Sequence, residues 1–600
     1  MTHRLAFHPH GRRPPGPLAL LLAGGIGLAV LSGFGIFPMV HAAGYLSADQ
    51  EVTESFRHLL MQSQRIMAAA LILAPAAVWC IRSRFPAWWA RFNRCPPKSF
   101  AAALGVAVLA GTLWVQWRLF DNLPHVADAI AHLFQARIFA LGRLSVPVPP
   151  CPEFFFQPQT IMTQSGQWFS RYPPGLALML TAGLKTGLHW AVVPACSVAV
   201  CWLLLAIATR LFGRSTARIA GLLLLASPLA LLLGASFMSH VPSLAMSLLA
   251  LWLWLRLSDP DRPPGSLLAT GSLLGLAVGG AILIRPQDVP ALGAMMALAW
   301  WLAPPPRRTW RMFFPAAVLG LLPCLALLAA WNAALYGSPW GIGYGFGQPN
   351  LLYQPYQGTI GFSAQFTPHQ ALHTWIRTAL RFNLAATGWP LILILPFWAW
   401  HPRKTRGDWF CLLTAVTAVA PYFFFDYHAR EYEARYCIGA LPFVLLLAAR
   451  SLEGLSALLK RRWPREAAGP ALAALLLALF GYAAFFYWPR YLVPRYQSRY
   501  EGVSPAIHRA AQAAGLTNAL VTADRSRVQY STLFVFNDPL LQADVIYARD
   551  RPGEADCLSH AFPERTRYVA IPGADSEIAG FAPWPGPSAS RFLNSEPATD

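Results

Sequence analysis

Long apolar runs alternate along this chain with short basic segments and with longer stretches rich in aromatic residues and proline. Pro17–Val40, Ala191–Leu211 and Phe313–Leu335 are almost free of charge and reach the roughly 20 residues that cross a bilayer as a helix. The pattern predicts thirteen spans, near 17–40, 66–82, 100–119, 190–211, 217–236, 241–257, 266–284, 289–304, 313–334, 387–401, 409–425, 437–450 and 470–487. The expected fold class is an all-α polytopic membrane protein. The first run is longer than the apolar core of a cleaved leader, so a retained signal anchor is expected there.

Charge adds an orientation. If the N-terminus is cytoplasmic, the basic groups Arg12-Arg13, Arg82 to Lys98, Arg210/Arg214/Arg218, Arg256/Arg262, Arg307-Arg308/Arg311, Arg403-Lys404/Arg406 and Lys460-Arg461-Arg462/Arg465 all fall on the inner side. That is the bias of short cytoplasmic loops. It also accounts for the net charge of +20 without nucleic acid as a partner. Composition agrees, since 55% of residues are hydrophobic and only 12% charged. Soluble domains carry about twice that share of charge. The organisation read from this is a tail and transmembrane hairpin over 1–99, a transmembrane core over 100–487, and a small outer α/β domain over 488–600. Outer loops are expected at 120–189 and 336–386.

Within these outer segments, Ile130–Leu141 and Ala371–Leu384 read as amphipathic helices lying on the membrane surface. Gly175–Gly187 is apolar but too short to span. In the C-terminal segment Val503–Gly515 reads as a helix, and Ala519–Thr522, Thr532–Phe536, Asp544–Tyr547 and Arg567–Ile571 read as strands. The nine cysteines are scattered, with no CxxC and no metal-ligand spacing. They point to neither a disulfide framework nor a zinc site.

Chemistry at the outer surface needs polar groups gathered there. The first outer loop holds only three acids, Asp121, Asp128 and Glu153. Asp128 opens a helix, where helix capping is the plain reading. Asp121 directly follows a span. Arg171-Tyr172-Pro173-Pro174-Gly175 puts a cation and a stiff turn before an apolar helix, either as a headgroup anchor or as a phosphate clamp. His240 in Met238-Ser239-His240, Arg285 in Arg285-Pro286-Gln287-Asp288, and the run Glu431, Glu433, Arg435, Tyr436 are expected on the same side.

These motifs together resemble the GT-C superfamily of membrane glycosyltransferases. The likeness is strongest to the bacterial branch related to protein O-mannosyltransferases and lipid A aminoarabinose transferases. It is carried by Asp128 through Leu133-Phe134-Gln135-Ala136-Arg137, by Phe139 to Leu144, by the Trp168–Gly175 block, by Met238-Ser239-His240 and by Arg435-Tyr436. It covers about residues 100–450. The resemblance implies an inverting transfer of a sugar from a polyprenyl-phosphate donor to a lipid, glycan or protein acceptor. Asp128 would then be the catalytic carboxylate. Asp121, Arg171, Tyr172, His240, Arg285, Arg435 and Tyr436 would bind substrate, the arginines serving the leaving phosphate and His240 the phosphate or acceptor. No cofactor or metal is expected. The sequence departs from the pattern after Asp128, where Ala129 replaces a second acid and His132 stands in place of a tyrosine.

Two other classes suit an apolar polytopic chain: a transporter or flippase for a lipid-linked substrate, and a non-catalytic assembly protein. Transporters place polar groups near the bilayer midplane, whereas the ionisable groups here gather at span ends.

Overall fold

A computed structural model describes residues 85–259, 263–341, 343, 352, 361–364, 366–425, 432–462, 465–497, 500–524, 528–551, 555–573 and 578–584. The expected spans at 17–40 and 66–82, and Glu431, lie outside these residues. Among the described residues eight helices are long and apolar enough to cross a membrane. They are Pro97–Arg118, His189–Phe212, His240–Leu257, Gly265–Ile284, Arg307–Tyr336, Arg406–Phe424, Leu441–Arg461 and Gly469–Gly502. A ninth candidate, Arg214–Leu225 with Pro228–Gly234, bends by 63°. Its break falls before Pro228, which cannot continue the helical hydrogen bonding, and Ser227 Oγ caps the new start by accepting from the Ala230 amide at 3.3 Å. The chain is a multi-pass membrane protein.

Two expected spans come out differently. The 289–304 run forms Val289–Leu302, whose 14 residues rise about 21 Å, short of the roughly 30 Å hydrocarbon core. The 387–401 run forms only the 3-10 turns Leu391–Leu393 and Leu395–Trp400, because Pro390 and Pro396 interrupt it.

The chain divides into two compact units. The first comprises Met1–Pro96, Gly388–Arg403 and Ala448–Trp488. Within it Arg450 and His401 converge on Glu453 at 2.9 and 3.3 Å. The second comprises Pro97–Thr387, Lys404–Leu447 and Pro489–Asp600, and it holds everything described below.

In the second unit the first outer loop carries the helix Ala127–Ala140 and a small antiparallel sheet. Its strands β1 (Val146–Pro147), β2 (Thr160–Met162) and β3 (Gln167–Ser170) are ordered β1-β3-β2. The C-terminal segment forms a second sheet from β4 (Ala519–Ala523), β5 (Val545–Arg549), β6 (Thr566–Pro572) and β7 (Ile578–Pro583). Its order is β5-β4-β6-β7, with β4 parallel to both neighbours and β7 antiparallel. The helix expected at Val503–Gly515 is shorter, Ala506–Ala513. Of the strand expected at Thr532–Phe536, Thr532 to Phe534 instead close the helix Tyr530–Phe534. Tyr530, Leu533 and Phe534 recur at helical spacing, and all three are buried.

That burial is shared with the first outer loop. Ile130, Phe134 and Ile138 of Ala127–Ala140 belong to one apolar core with Leu533, Phe534 and Val535. Phe134 packs on Phe534 at 5.2 Å and on Trp168 at 4.6 Å between ring centroids. Arg137 NH1 donates to the carbonyls of Val535 and Asn537 at 2.9 and 3.0 Å. The helix expected to lie flat on lipid is therefore enclosed by protein. A disulfide joins Cys151 to Cys557 across the same contact. This corrects the sequence reading of the cysteines as unconnected: both partners sit outside the candidate spans, and the fold brings them together across 406 residues.

Candidate active site

Four elements converge above Ala127–Ala140. Asp128 is the second residue of that helix, and the N-cap position is Val126, with no side-chain cap bond. The carboxylate is thus not consumed in capping, and its Oδ2 lies 4.0 Å from Arg435 NH2. One turn along, His132 stacks on Tyr172 with ring centroids 4.6 Å apart. Tyr172 is held just before the helix Pro174–Thr186. That helix approaches the end of Pro264–Ile284 so closely that a Cβ on Gly175 would stand 2.7 Å from the Ile284 nitrogen. Only glycine allows this contact.

Arg285 is the next residue. Pro286 disfavours helical backbone before it, and Arg285 is extended at φ −152°. The following 3-10 turn, Pro286–Asp288, returns a carboxylate to its side chain. Arg285 Nε donates to Asp288 Oδ1 at 2.9 Å, and its terminal nitrogens approach Ser239 Oγ and Tyr422 Oη, each at 3.4 Å. Asp288 is further satisfied by Tyr422 Oη at 3.2 Å and Ser243 Oγ at 2.8 Å.

Arg435 begins a short 3-10 turn. Ahead of it Tyr432 and Glu433 adopt φ of +47° and +57°, a strained state held by surrounding bonds. The Tyr432 amide donates to Tyr500 Oη at 2.9 Å, and Glu433 accepts from Tyr496 Oη at 3.1 Å. Arg435 NH2 donates to Tyr436 Oη at 3.0 Å. The Tyr436 ring faces the Arg435 and Arg285 guanidinium carbons at 4.9 and 5.9 Å, and His240 packs on it at 5.9 Å.

The structure therefore brings together Asp128, Tyr172, His240, Arg285, Arg435 and Tyr436. Arg171 is held by Gln159, whose Oε1 accepts from NH1 at 2.8 Å. Asp121 pairs with Arg509 of the C-terminal segment at 3.5 Å. Glu433 is buried against Arg495 at 3.3 Å. Sequence reasoning missed Tyr422, which precedes no motif and reads as an ordinary interfacial tyrosine. It also left Asp288 and Ser243 without a role. Asp288 carried a signal, standing one turn after an arginine on a Pro-started turn.

Electrostatically the cluster balances two guanidinium groups against two carboxylates. Burial drives the His132 pKa down to about 4, with Asp128 opposing the shift and Arg285 adding to it. The ring is neutral near pH 7. The arrangement offers a carboxylate, two oriented cations and neutral hydrogen-bonding rings within one mostly buried cluster. Such a set can accept a proton and stabilise a departing anion.

Residues 173–332 match the family model for dolichyl-phosphate-mannose-protein mannosyltransferase. No curated protein matches the chain. Among solved structures, ArnT from Cupriavidus metallidurans is similar at 15% identity and a TM-score of 0.46, over 78% of this chain and 92% of ArnT. The arabinofuranosyltransferase AftD from Mycobacteria is similar at 19% identity and 0.44, over 79% of this chain and 35% of AftD. The Archaeoglobus fulgidus oligosaccharyltransferase is similar at 14% and 0.39, over 67% and 56%. The family match is confined to residues 173–332. Similarity at this level leaves the chemistry to be argued from the site.

Proposed function

We propose that this protein is an inverting glycosyltransferase that moves a hexosyl or pentosyl group from a polyprenyl-phosphate donor to a lipid, glycan or protein hydroxyl. The observation that carries the reading is Asp128 facing Arg435 at 4.0 Å, beside an Arg285 fixed by Asp288. The acceptor oxygen attacks the anomeric carbon from the face opposite the phosphate. Asp128 takes the hydroxyl proton, the new C–O bond forms, and the bond to phosphate breaks with its electron pair leaving on the phosphate oxygen. Arg435 and Arg285 stabilise that growing charge, more strongly than they would in water. Tyr172, Tyr436 and His240 line the site, and Arg171 borders it.

The two guanidinium groups suit a phosphate leaving group, and the spans around them suit a lipid tail on it. Solved structures include ArnT bound to undecaprenyl phosphate and AglB with a dolichol-phosphate and an inhibitory peptide; the donor proposed here is of the same lipid-phosphate kind. We place the site on the periplasmic face of a bacterial inner membrane, with the N-terminus cytoplasmic. Every basic group but Arg307-Arg308/Arg311, whose side changes when Val289–Leu302 does not cross, supports this orientation. So does the Cys151–Cys557 disulfide, since such bonds persist in oxidising compartments.

The test uses the full chain and its Asp128→Asn variant, purified in lipid and given a panel of polyprenyl-phosphate sugars. Release of polyprenyl phosphate is the readout. Turnover by the wild type, lost in the variant with the fold retained, is the expected result. Equal turnover by both would remove Asp128 from the mechanism, and none by either would overturn the transferase reading.

A further inference from the structure

Arg435 stands on a turn that its own sequence does not favour. Two residues just ahead of it, Tyr432 and Glu433, sit in the left-handed region at φ +47° and +57°. That backbone is costly for side chains other than glycine. Two such residues in succession persist only where their surroundings over-determine them. If either relaxed to the right-handed region, the chain would leave the turn in another direction. Arg435, two residues beyond Glu433, would then lose its place 4.0 Å from Asp128.

The groups that hold the turn come from the end of the candidate span Gly469–Gly502. Tyr500 Oη accepts from the Tyr432 amide at 2.9 Å. Tyr496 Oη donates to Glu433 Oε1 at 3.1 Å, and Arg495 NH1 lies 3.3 Å from the same oxygen. Glu433, Tyr496 and Tyr500 are all buried, so these bonds form away from water, where they are stronger. Ring packing fixes the same residues. Tyr432 and Tyr496 stack with their planes 3° apart, and Phe120 meets both edge-on at 5.6 and 6.0 Å. Tyr500 is tied to the first outer loop as well, its carbonyl 2.8 Å from His125 Nδ1.

We infer that Tyr496 and Tyr500, with Arg495, are positioning residues for Arg435: they hold the Tyr432–Glu433 turn that presents its guanidinium to Asp128 and to the leaving phosphate. The inference rests on the transferase reading. It gives the segment that leads into the C-terminal sheet a second task, since the same few residues set an arginine of the site.

The experiment uses the full chain in lipid. Turnover is read as release of polyprenyl phosphate from the donor panel, and binding is read with radiolabelled polyprenyl phosphate, which carries the leaving group. Tyr500→Phe and Tyr496→Phe keep the rings and remove one hydrogen bond each. Each should lower kcat/KM and weaken binding by about five- to tenfold. The deciding measurement is a double-mutant cycle on binding. With Arg435→Gln already in place, the tyrosine changes should cost nothing further, because residues that act through one another are not additive. Tyr530→Phe is the control. Its hydroxyl is buried in the C-terminal segment with no hydrogen-bond partner among the described residues, and its loss should leave turnover and binding unchanged. Unfolding midpoints confirm that each variant folds. Equal losses with and without Arg435 would mean the tyrosines only support the fold, and would overturn the inference while the transferase stands. Unchanged turnover and binding in both tyrosine variants does the same, as does a loss in Tyr530→Phe that matches Tyr500→Phe. Turnover of no donor by the wild type overturns both readings.

Discussion

Arg285 and Asp288 meet across a single 3-10 turn, Nε to Oδ1 at 2.9 Å. The pair is a positioning device. Asp288 takes one edge of the guanidinium and is anchored by Tyr422 and Ser243, while the terminal nitrogens donate to Ser239 Oγ and Tyr422 Oη. Asp288→Asn keeps the shape and removes the charge. Hydrogen bonds to charged groups contribute about 1.5–3 kcal/mol, so kcat/KM for the lipid-phosphate donor should fall about 10- to 100-fold. Steady-state kinetics checks this. Tyr422→Phe, which removes one of two supports, should lose less.

Asp128 is the expected proton acceptor, and its removal should act on the chemical step. Asp128→Asn should reduce kcat by about 10²–10⁴ while donor binding persists. Binding of a radiolabelled polyprenyl phosphate alongside turnover separates the two. A matching loss of donor binding would mean the carboxylate serves to orient Arg435.

Gly175 marks where the Pro174–Thr186 helix touches the backbone just before Arg285. A Cβ there would meet Leu283 and Ile284 backbone atoms at 2.7 Å. Gly175→Ala should cost about 1–3 kcal/mol of overpacking and lower turnover with it. A Cβ on Gly293 would meet nothing within 4 Å, so Gly293→Ala, inside the helix Val289–Leu302, is the control and should leave turnover unchanged with a midpoint equal or higher.

Acid should destabilise this protein through His132. Burial lowers its pKa from 6.5 to about 4 in the folded state. Below pH 6.5 the unfolded chain binds a proton that the folded protein refuses, so stability is full above that point and falls toward pH 4. At about 1.4 kcal/mol per unit, the loss reaches about 3 kcal/mol. His125, also buried, shifts in the same direction. Unfolding midpoints measured across this range should fall more steeply for wild type than for His132→Phe.

Much of this was readable in the sequence because lipid is a demanding solvent. Long apolar runs specify most of the described spans with few alternatives, Arg285, Arg435 and Tyr436 stood out as polar groups near span ends, and Asp128 as one of only three acids in the first outer loop. The errors arose where a segment's neighbours come from far along the chain. Ala127–Ala140 reads as a surface helix when judged alone, yet residues 503–570 cover its outer side. Thr532–Phe536 has the β-branched and aromatic content of a strand. Its burial against Phe134 and Trp168 favours the helical spacing of Tyr530, Leu533 and Phe534. Tyr422 gave no local signal, because its partner Asp288 is 134 residues away.

The Cys151–Cys557 bond spans 406 residues, and that separation constrains biogenesis. A chain inserted from its N-terminus exposes Cys151 long before Cys557 is synthesised. The first thiol must wait, reduced or borrowed by another thiol, while the intervening helices enter the membrane. The two can join only if an even number of crossings separates them. Oxidation of this pair is therefore a chemical record that insertion finished in register. A mis-threaded chain would carry two stranded thiols on opposite sides of the bilayer.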